Sequence, residues 1–424
     1  MSAKAKTLTP KLRFREFRDG EAWKSEPMDE LYAFMRNNAL SRDKLNYVRG
    51  SVKNIHYGDI HTKFPAMFDV TRETVPFVNE TEEVPPPDSE DYCVEGDLIF
   101  ADASEDTNDV GKSIEIIRLN GERLLSGQHT ILARRKDERI ILGFGGHLFR
   151  SGHIQSQIQK EAQGTKVYAI SPTRLGNIEV PYPGDTAEQQ KIADCLTSLD
   201  EVIAAQGRKV EALEAHKKGL MQQLFPRAPE GETLPRLRFP EFRDAGEWDV
   251  HPLSKIADNL DSMRVPITEK DRTYGEVPYY GASGIVDYVE GFIFDEDLLC
   301  VSEDGANLVT RTYPIAFSIS VKNWVNNHAH LLRFQQAATQ KLVEVYLNAT
   351  GLRDFITGMA QPKLNRGMLD TIPIPLPEPA EQQRIADCLG SLDARLAAEA
   401  EKLAAFRGHK KGLMQQLFPS AEGL

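Results

Sequence analysis

No run of about 18 apolar residues occurs in the 424-residue chain, so no segment reads as a membrane-spanning helix. The opening MSAKAKTLTPKLRFREF lacks the apolar stretch of a secretory signal, and a cytoplasmic protein with no membrane partner is expected. Cysteine is scarce: Cys93, Cys195, Cys300 and Cys388 form no CxxC pair, which predicts buried thiols in a reducing compartment rather than a disulfide frame. An excess of positive charge is missing too. A net charge of −12 argues against a nonspecific basic coat for nucleic acid, although a local basic groove can coexist with an acidic exterior.

Catalytic signatures are equally thin. DVGKS (Asp109–Ser113) ends like a phosphate-binding loop, but Asp106 stands where that loop needs glycine. GFGG (Gly143–Gly146) lacks the spacing of a dinucleotide loop and reads as a turn. No Asp/Asn/Ser-Pro-Pro-Phe/Tyr tetrapeptide, which would hold a target base for amino-group methylation, is present. The paired triplets Ser104–Asp106 and Ser302–Asp304 read as turns following apolar strands, and His129 and His328 as structural histidines beside strands. Neither a metal site nor a catalytic group is expected.

What the chain does contain is itself, twice. PKLRFREFRD (Pro10–Asp19) returns as PRLRFPEFRD (Pro235–Asp244), an offset of 225. Ala187–Pro226 returns as Ala380–Pro419, an offset of 193, with 27 of 40 positions identical. The order is therefore leader, variable block, helix, repeated once. The first block is longer by 32 residues, in part through the Pro-rich acidic loop Val78–Tyr92. Six segments result: leader 1–23, first block 24–184, central helix 185–226, second leader 227–247, second block 248–377 and final helix 378–424. The blocks are faint copies of each other. Gly96–Asp106 aligns with Asp295–Asp304 and Gln128–Arg134 with Asn327–Arg333, all strand-like, and helices are expected near Ile154–Gln163 and Lys341–Met359.

Each repeated helix carries a seam spaced 4, 3, 4, 3. The first copy places Ile192, Leu196, Leu199, Ile203, Val210, Leu213, Leu220 and Leu224 on it. The second places Ile385, Leu389, Leu392, Leu396, Leu403, Phe406, Leu413 and Leu417 there. Gln206/Glu399 and Lys217/Lys410 are polar seam positions in both copies, the kind that weakens a coiled coil but fixes its register. Thr186 with Gln189 fits a capping box, and Pro226 and Pro419 end the helices. Such a helix is a rod of roughly 57 Å. An amphipathic helix lying on its own domain is the plainer alternative, but a heptad phase held through five repeats in both copies favours a coiled coil. Duplication predicts antiparallel pairing, with Leu199, Ile203, Leu392 and Leu396 buried and the blocks at opposite ends.

The chain resembles the specificity subunit of type I restriction–modification enzymes, through EQQKIADCLTSLD, HKKGLMQQLFP, their second copies, and LRFxEFRD before each block. The resemblance implies an α+β fold, with two mixed α/β target-recognition domains joined by two long antiparallel coiled-coil helices in a pseudo-twofold duplication. It implies a non-catalytic subunit that reads one half of a split double-stranded DNA target with each domain, in phage defence. Two copies of the modification (methyltransferase) subunit would dock on the helices, and restriction (motor-nuclease) subunits would join them. No cofactor is then expected on this chain: S-adenosylmethionine belongs to the methyltransferase, ATP and Mg2+ to the motor-nuclease.

The residues add a regional signal for DNA. Between Arg36 and Lys63 lie six basic and two acidic residues, interleaved with amides and tyrosines that suit phosphates and base edges. The candidates are Arg36, Asn37, Asn38, Arg42, Lys44, Tyr47, Arg49, Lys53, Asn54, Tyr57 and Lys63. The second block offers Arg264, Lys270, Arg272, Tyr274, Tyr279, Tyr280 and Ser283, the last in a Gly-containing loop. Ordinary solvated loops explain any one of these residues equally well. A coiled-coil scaffold presenting two protein-binding domains remains the alternative function, and the acidic total suits it.

Overall fold

A computed structural model describes residues 8–226, 232–358 and 361–419; the chain start, the first residues of the second leader, Met359, Ala360 and the last five residues lie outside them. The chain divides into two compact units, Met1–Gln206 with Lys402–Leu424, and Gly207–Glu401. Each long helix thus contributes to both units: Thr186–Leu224 and Pro379–Leu417 are 39 residues each and end just before the prolines that the sequence marked.

The first unit is built on a five-stranded sheet in the order Tyr32–Met35, Thr130–Arg135, Leu98–Ala101, Ser113–Arg118, Met67–Asp69. Its pairings are antiparallel except for the last, which is parallel. The central run LIFA is apolar at every position because both faces are covered. Leu98 and Phe100 face a core that contains the helix residues Ile192 and Leu196, while Ile99 and Ala101 face a second core around Ile55, Phe68 and Ile116. A smaller sheet, ordered Leu124–Ser126, Lys53–Ile55, Phe77–Val78, Leu45–Asn46, lies on that second side.

The second unit repeats the plan. Its main sheet runs Asp258–Asn259, Ala329–Arg333, Leu298–Ser302, Ala316–Ile319, and a second sheet pairs the hairpin Tyr274–Gly281 and Gly284–Val289 with Lys322–Val325 and Phe294–Asp295. Here Leu299 and Val301 face the helix-bearing core, while Leu298 and Cys300 face the other. Leu299 therefore plays the part of Leu98, and Ser302, buried at the end of its strand, that of Ala101. The triplets Ser104–Asp106 and Ser302–Asp304 are not equivalent: with a side-chain period of two, core faces set the alignment, not letters.

The helix N-termini correct the expected capping box. Asp185, not Thr186, caps, its Oδ1 accepting from the Ala187 N–H at 2.8 Å. Gln189 instead donates to the carbonyls of Arg139 and Pro183 and accepts from the Ile141 N–H, tying the helix to its block. The neighbouring Glu188 is fully buried and takes a two-pronged ion pair from leader residue Arg13 at 2.7 and 2.6 Å. Glu381 and Arg238 do the same in the second unit, both contacts at 2.7 Å. The repeated leader and the repeated AEQQ are two halves of one clamp.

Within each unit the helix segments run antiparallel. In the first, Lys410 pairs with Asp200 while Leu413 and Leu417 join the core of Ile192 and Leu196. In the second, Lys217 pairs with Asp393 and Lys209 with Glu399, while Leu220 and Leu224 join Ile385 and Leu389. The polar seam lysines therefore set register through cross-helix carboxylates. Ile192, Leu196, Leu224, Ile385, Leu389 and Leu417 are buried, but Val210, Leu213, Leu220, Leu403, Phe406 and Leu413 are half-buried. Leu199, Ile203, Leu392 and Leu396, expected to be buried, are half-buried too, because one partner helix shields only one flank of a seam.

The helix ends plug the cores. Phe418 packs edge-on against Trp23 at 6.2 Å and tilted against Phe144 at 5.9 Å, and Phe225 edge-on against Trp248 at 5.9 Å and tilted against Tyr346 at 6.2 Å. Other expectations shift by less. The block helices are Gly152–Glu161 and Ala337–Ala349, the second ending well short of Met359. GFGG is not a free turn: Gly143, at φ 90°, opens the helix Phe144–Leu148, and the N–H groups of Gly143 and Gly146 donate to buried Glu115. Burial pushes the Glu115 carboxyl up to about 7 against those two bonds. Cys93 and Cys300 are buried, with burial raising both thiols, whereas Cys195 and Cys388, on the two long helices, are only half-buried.

Candidate nucleic-acid interface

In the first unit the basic strip folds around one buried acid. Asp59, 1% exposed, sits on the short helix Tyr57–Thr62, which His56 caps by accepting from the Gly58 N–H. Arg42 reaches Asp59 at 3.1 Å and Lys63 at 2.9 Å, and both cations remain about half exposed. Lys63 also bonds the hydroxyl of exposed Tyr47 at 3.2 Å; these partners, Asp59 first, raise its pKa. A buried carboxylate thus holds two cation heads at the surface with little freedom, a preorganised pair for phosphate or a base edge.

The other cations are less available than their sequence suggests. Lys44 pairs with Glu82, Arg49 with Glu80 and Lys53 with Glu122. Acids distant in sequence come back over the strip, so it is a mosaic rather than a uniform basic face. Arg36 is exposed. Surface pairs of this kind contribute about 0–1 kcal/mol and can exchange for phosphate.

The amides have another job. Asn37 donates to the Thr130 carbonyl at 2.7 Å, and Asn38 to Asn54 Oδ1 at 2.7 Å and the Ser126 carbonyl at 3.0 Å. Asn54 is fully buried and leaves the set of candidate DNA contacts. Together they clamp the loop Ser126–Thr130, where a Cβ on Gly127 would lie 2.4 Å from Asn54 Nδ2 and the Ile55 carbonyl. This loop carries His129, which is not a buried structural histidine: its side chain is half exposed, 5.3 Å from Tyr57 ring to ring and 3.4 Å from Asp102. Burial raises the Asp102 carboxyl, with His129 opposing the shift. His328 of the second unit is also half exposed, with Nδ1 2.9 Å from Asp304. The matching histidines were visible in the sequence; their exposure was not.

The second unit's candidates divide more sharply. Arg264 is internal, bonding Glu303 at 3.1 Å and the Ala329 carbonyl, and Tyr279 is 1% exposed with its hydroxyl on the Ile267 N–H. Both are scaffold rather than contact residues, since an unpaired guanidinium or phenol could not be left inside. Arg272 stacks on Tyr279 and pairs with Asp287, and Tyr280 lies half-buried against Phe317. Lys270, Ser283 and Tyr274 are exposed, Tyr274 at 86%, beside exposed Ile285, Val286 and Tyr288 on the same hairpin. Arg264 also explains a trio, buried His330 with half-buried Asp261 and Glu303, whose ligand atoms cluster closely enough for a metal. His330 lies 2.6 Å from Asp261 and 2.7 Å from the Leu364 carbonyl, and Arg264 and Lys363 supply positive charge to the carboxylates. The trio is a charge-balanced network that anchors the strand Ala329–Arg333.

Comparison with known proteins matches two stretches, residues 74–215 and 245–405, to the family model described as type I restriction modification DNA specificity domain. A putative type I restriction enzyme specificity subunit of Haemophilus influenzae is 32% identical over 151 residues, covering 36% of this chain and 39% of that relative's length. The putative MjaX specificity subunit of Methanocaldococcus jannaschii is 22% identical over 418 residues, covering 94% of this chain and 93% of the relative. The crystal structure of a type I restriction–modification S subunit from M. genitalium shares the fold, with a TM-score of 0.60 at 14% identity over 97% of this chain and all of that one. No helix among the described residues is long and apolar enough to cross a membrane. With family matches spanning both halves of the duplication, the chain belongs to the type I restriction–modification DNA specificity family, whose members recognise DNA sequence.

Proposed function

We propose that the chain reads a split target in double-stranded DNA, one half with each unit, and that it carries two modification subunits on its helices. The observation that supports this most is the pairing of one repeated frame with two different surfaces. The first unit presents Arg42 and Lys63 on buried Asp59; the second presents Lys270 and an aromatic hairpin edge at Tyr274 and Tyr288. One frame with two unlike faces fits two unlike half-sites. Bases between them would be sensed only through DNA shape.

A duplicated surface also offers two equivalent docking sites. The exposed residues of the HKKGLMQQ repeats, His216, Lys218, Gln222, Gln223 and their copies His409, Lys411, Gln415 and Gln416, would supply them, since the LFP ends are committed to the cores. The chain itself would carry no chemistry: S-adenosylmethionine would bind the methyltransferase partner, and ATP with Mg2+ the motor-nuclease partner.

Mapping methylated adenines in the native host tests the reading. A two-part motif with an unspecified gap is expected, and deletion of one heptad from both helices should change the gap while preserving both halves. A single continuous motif would refute it. Binding should weaken steeply with salt despite the acidic chain, because local cations meet phosphate. Association with only one modification subunit in native mass spectrometry would overturn the docking model.

A further inference from the structure

Resting on that DNA-reading function, the geometry points to His129 as a base-reading residue of the first unit, presenting its imidazole Nε2 to an exocyclic amino group of adenine or cytosine. Four independent features converge on this side chain. First, its backbone is strained: φ is 55°, a conformation that costs a non-glycine residue about 1–2 kcal/mol. Glycine or asparagine would sit there more comfortably.

Second, the loop is held from several directions. Ser126 and Thr130 share a 2.6 Å hydroxyl bond, Thr130 bonds the Gly127 carbonyl at 2.6 Å, and Asn37 and Asn38 fasten both ends. The Asp102 N–H donates to the His129 carbonyl at 3.1 Å, so the main chain is fixed on both sides of the ring. This much restraint around one exposed side chain suits a group that must be in place before its ligand arrives.

Third, the ring's orientation and tautomer are constrained. Asp102 Oδ1, buried and without a hydrogen-bond partner, lies 3.4 Å from His129 Nδ1, the nearest group that can offer it a proton. A proton on Nδ1 leaves Nε2 as acceptor in the neutral imidazole, and the major-groove groups that donate to an acceptor are adenine N6 and cytosine N4. Tyr57 stands edge to face against the ring at 78° and blocks rotation on that side. Fourth, the cations are near in the same network: Tyr57 packs on His56 at 4.6 Å, and His56 contacts Arg42 at 3.3 Å. A phosphate on the Arg42–Lys63 pair would place DNA against this ring system.

The test is the adenine-methylation motif of host cells carrying His129→Asn or His129→Gly, both of which tolerate the backbone conformation. Each should relax one base position in one half-site by about tenfold and leave the other half unchanged, with melting of the purified chain no lower than wild type, since the strained backbone is relieved. The identity of the base in the wild-type motif separates adenine from cytosine. An unchanged motif would overturn the assignment, as would uniform loss of methylation or a lowered melting temperature, which would make His129 a structural part of the loop. A wild-type motif that is continuous would instead remove the split-site reading on which the inference stands.

Discussion

Replacing Phe418 with alanine should unfold the first unit preferentially, although Phe418 lies six residues from the end of the chain and the rest of that core comes mainly from the first 206 residues. Its side chain is 2% exposed and packs on Trp23 and Phe144. Removing a buried phenyl group costs about 3–5 kcal/mol. Loss of two ring pairs puts this case near 4 kcal/mol, roughly a thousandfold in the opening equilibrium. Native-state hydrogen exchange reads this by segment. Amides of Leu98–Ala101 and Thr130–Arg135 should lose about three decades of protection, while those of Leu298–Ser302 retain theirs. Phe225→Ala should give the opposite pattern. Protection of Leu98–Ala101 that stays within tenfold of wild type would refute the plug.

Glu188→Ala should cost about 3–5 kcal/mol in urea unfolding by stranding Arg13, and a double replacement, Arg13→Met with Glu188→Leu, should recover most of the loss. Gly219→Ala and Gly412→Ala should each stabilise the isolated chain by about 1 kcal/mol in thermal melting, because the new methyl group meets nothing within 4 Å; if a partner's backbone docks there, the same variants will weaken its binding. Glu115, raised by burial to about 7, keeps its proton in the folded state where the unfolded chain releases it. Its contribution is therefore full below about pH 4.5 and lost as pH rises through 7, a decline of about 3 kcal/mol that Glu115→Gln should abolish in paired urea titrations. His147, lowered by burial to about 3, acts oppositely on the acid side, so the difference between variant and wild type is the quantity to compare.

The frame was legible because it is periodic and repeated. Heptad spacing located both helices to within a residue or two, and the central strands announced themselves as apolar runs. What stayed hidden depends on three-dimensional return of the chain. Asn54 and Tyr279 have residue types that suit DNA but are buried, and Glu80, Glu82 and Glu122 cover lysines and an arginine far from them in sequence. The exposure of His129 was hidden for the converse reason: a histidine beside an apolar strand is commonly internal, and the left-handed turn before Thr130 brings it out. The clamp between Arg13 and Glu188, 175 residues apart, left only the trace that both were duplicated together.

That clamp suggests how one frame tolerates unlike blocks, and it leads to the most demanding prediction. Arg13 completes its bonds on the Gly20 and Glu21 carbonyls, and Arg238 on those of Ala245 and Gly246. Gln189 fastens the first block through main-chain atoms of Arg139, Ile141 and Pro183 alone. Main-chain groups are present whatever the side chains become, so the block can change its letters without losing its seat. Side-chain dependence lies in the apolar core that the block shares with Ile192, Leu196, Leu417 and Phe418, with Phe144 directly under Phe418, and in His147, whose Nε2 lies 3.0 Å from Thr197 Oγ1. Exchanging residues 24–175 for the equivalent block of a relative should therefore yield a folded chain when the positions facing this core stay apolar and an aromatic residue and a histidine occupy positions 144 and 147. A chimera lacking that aromatic should lose about 3–5 kcal/mol, as for Phe418→Ala. In the folded chimera, methylation mapping should find one half of the motif replaced and the other kept. If both halves changed, the two units would not read independently, and the reading of the duplication would be wrong.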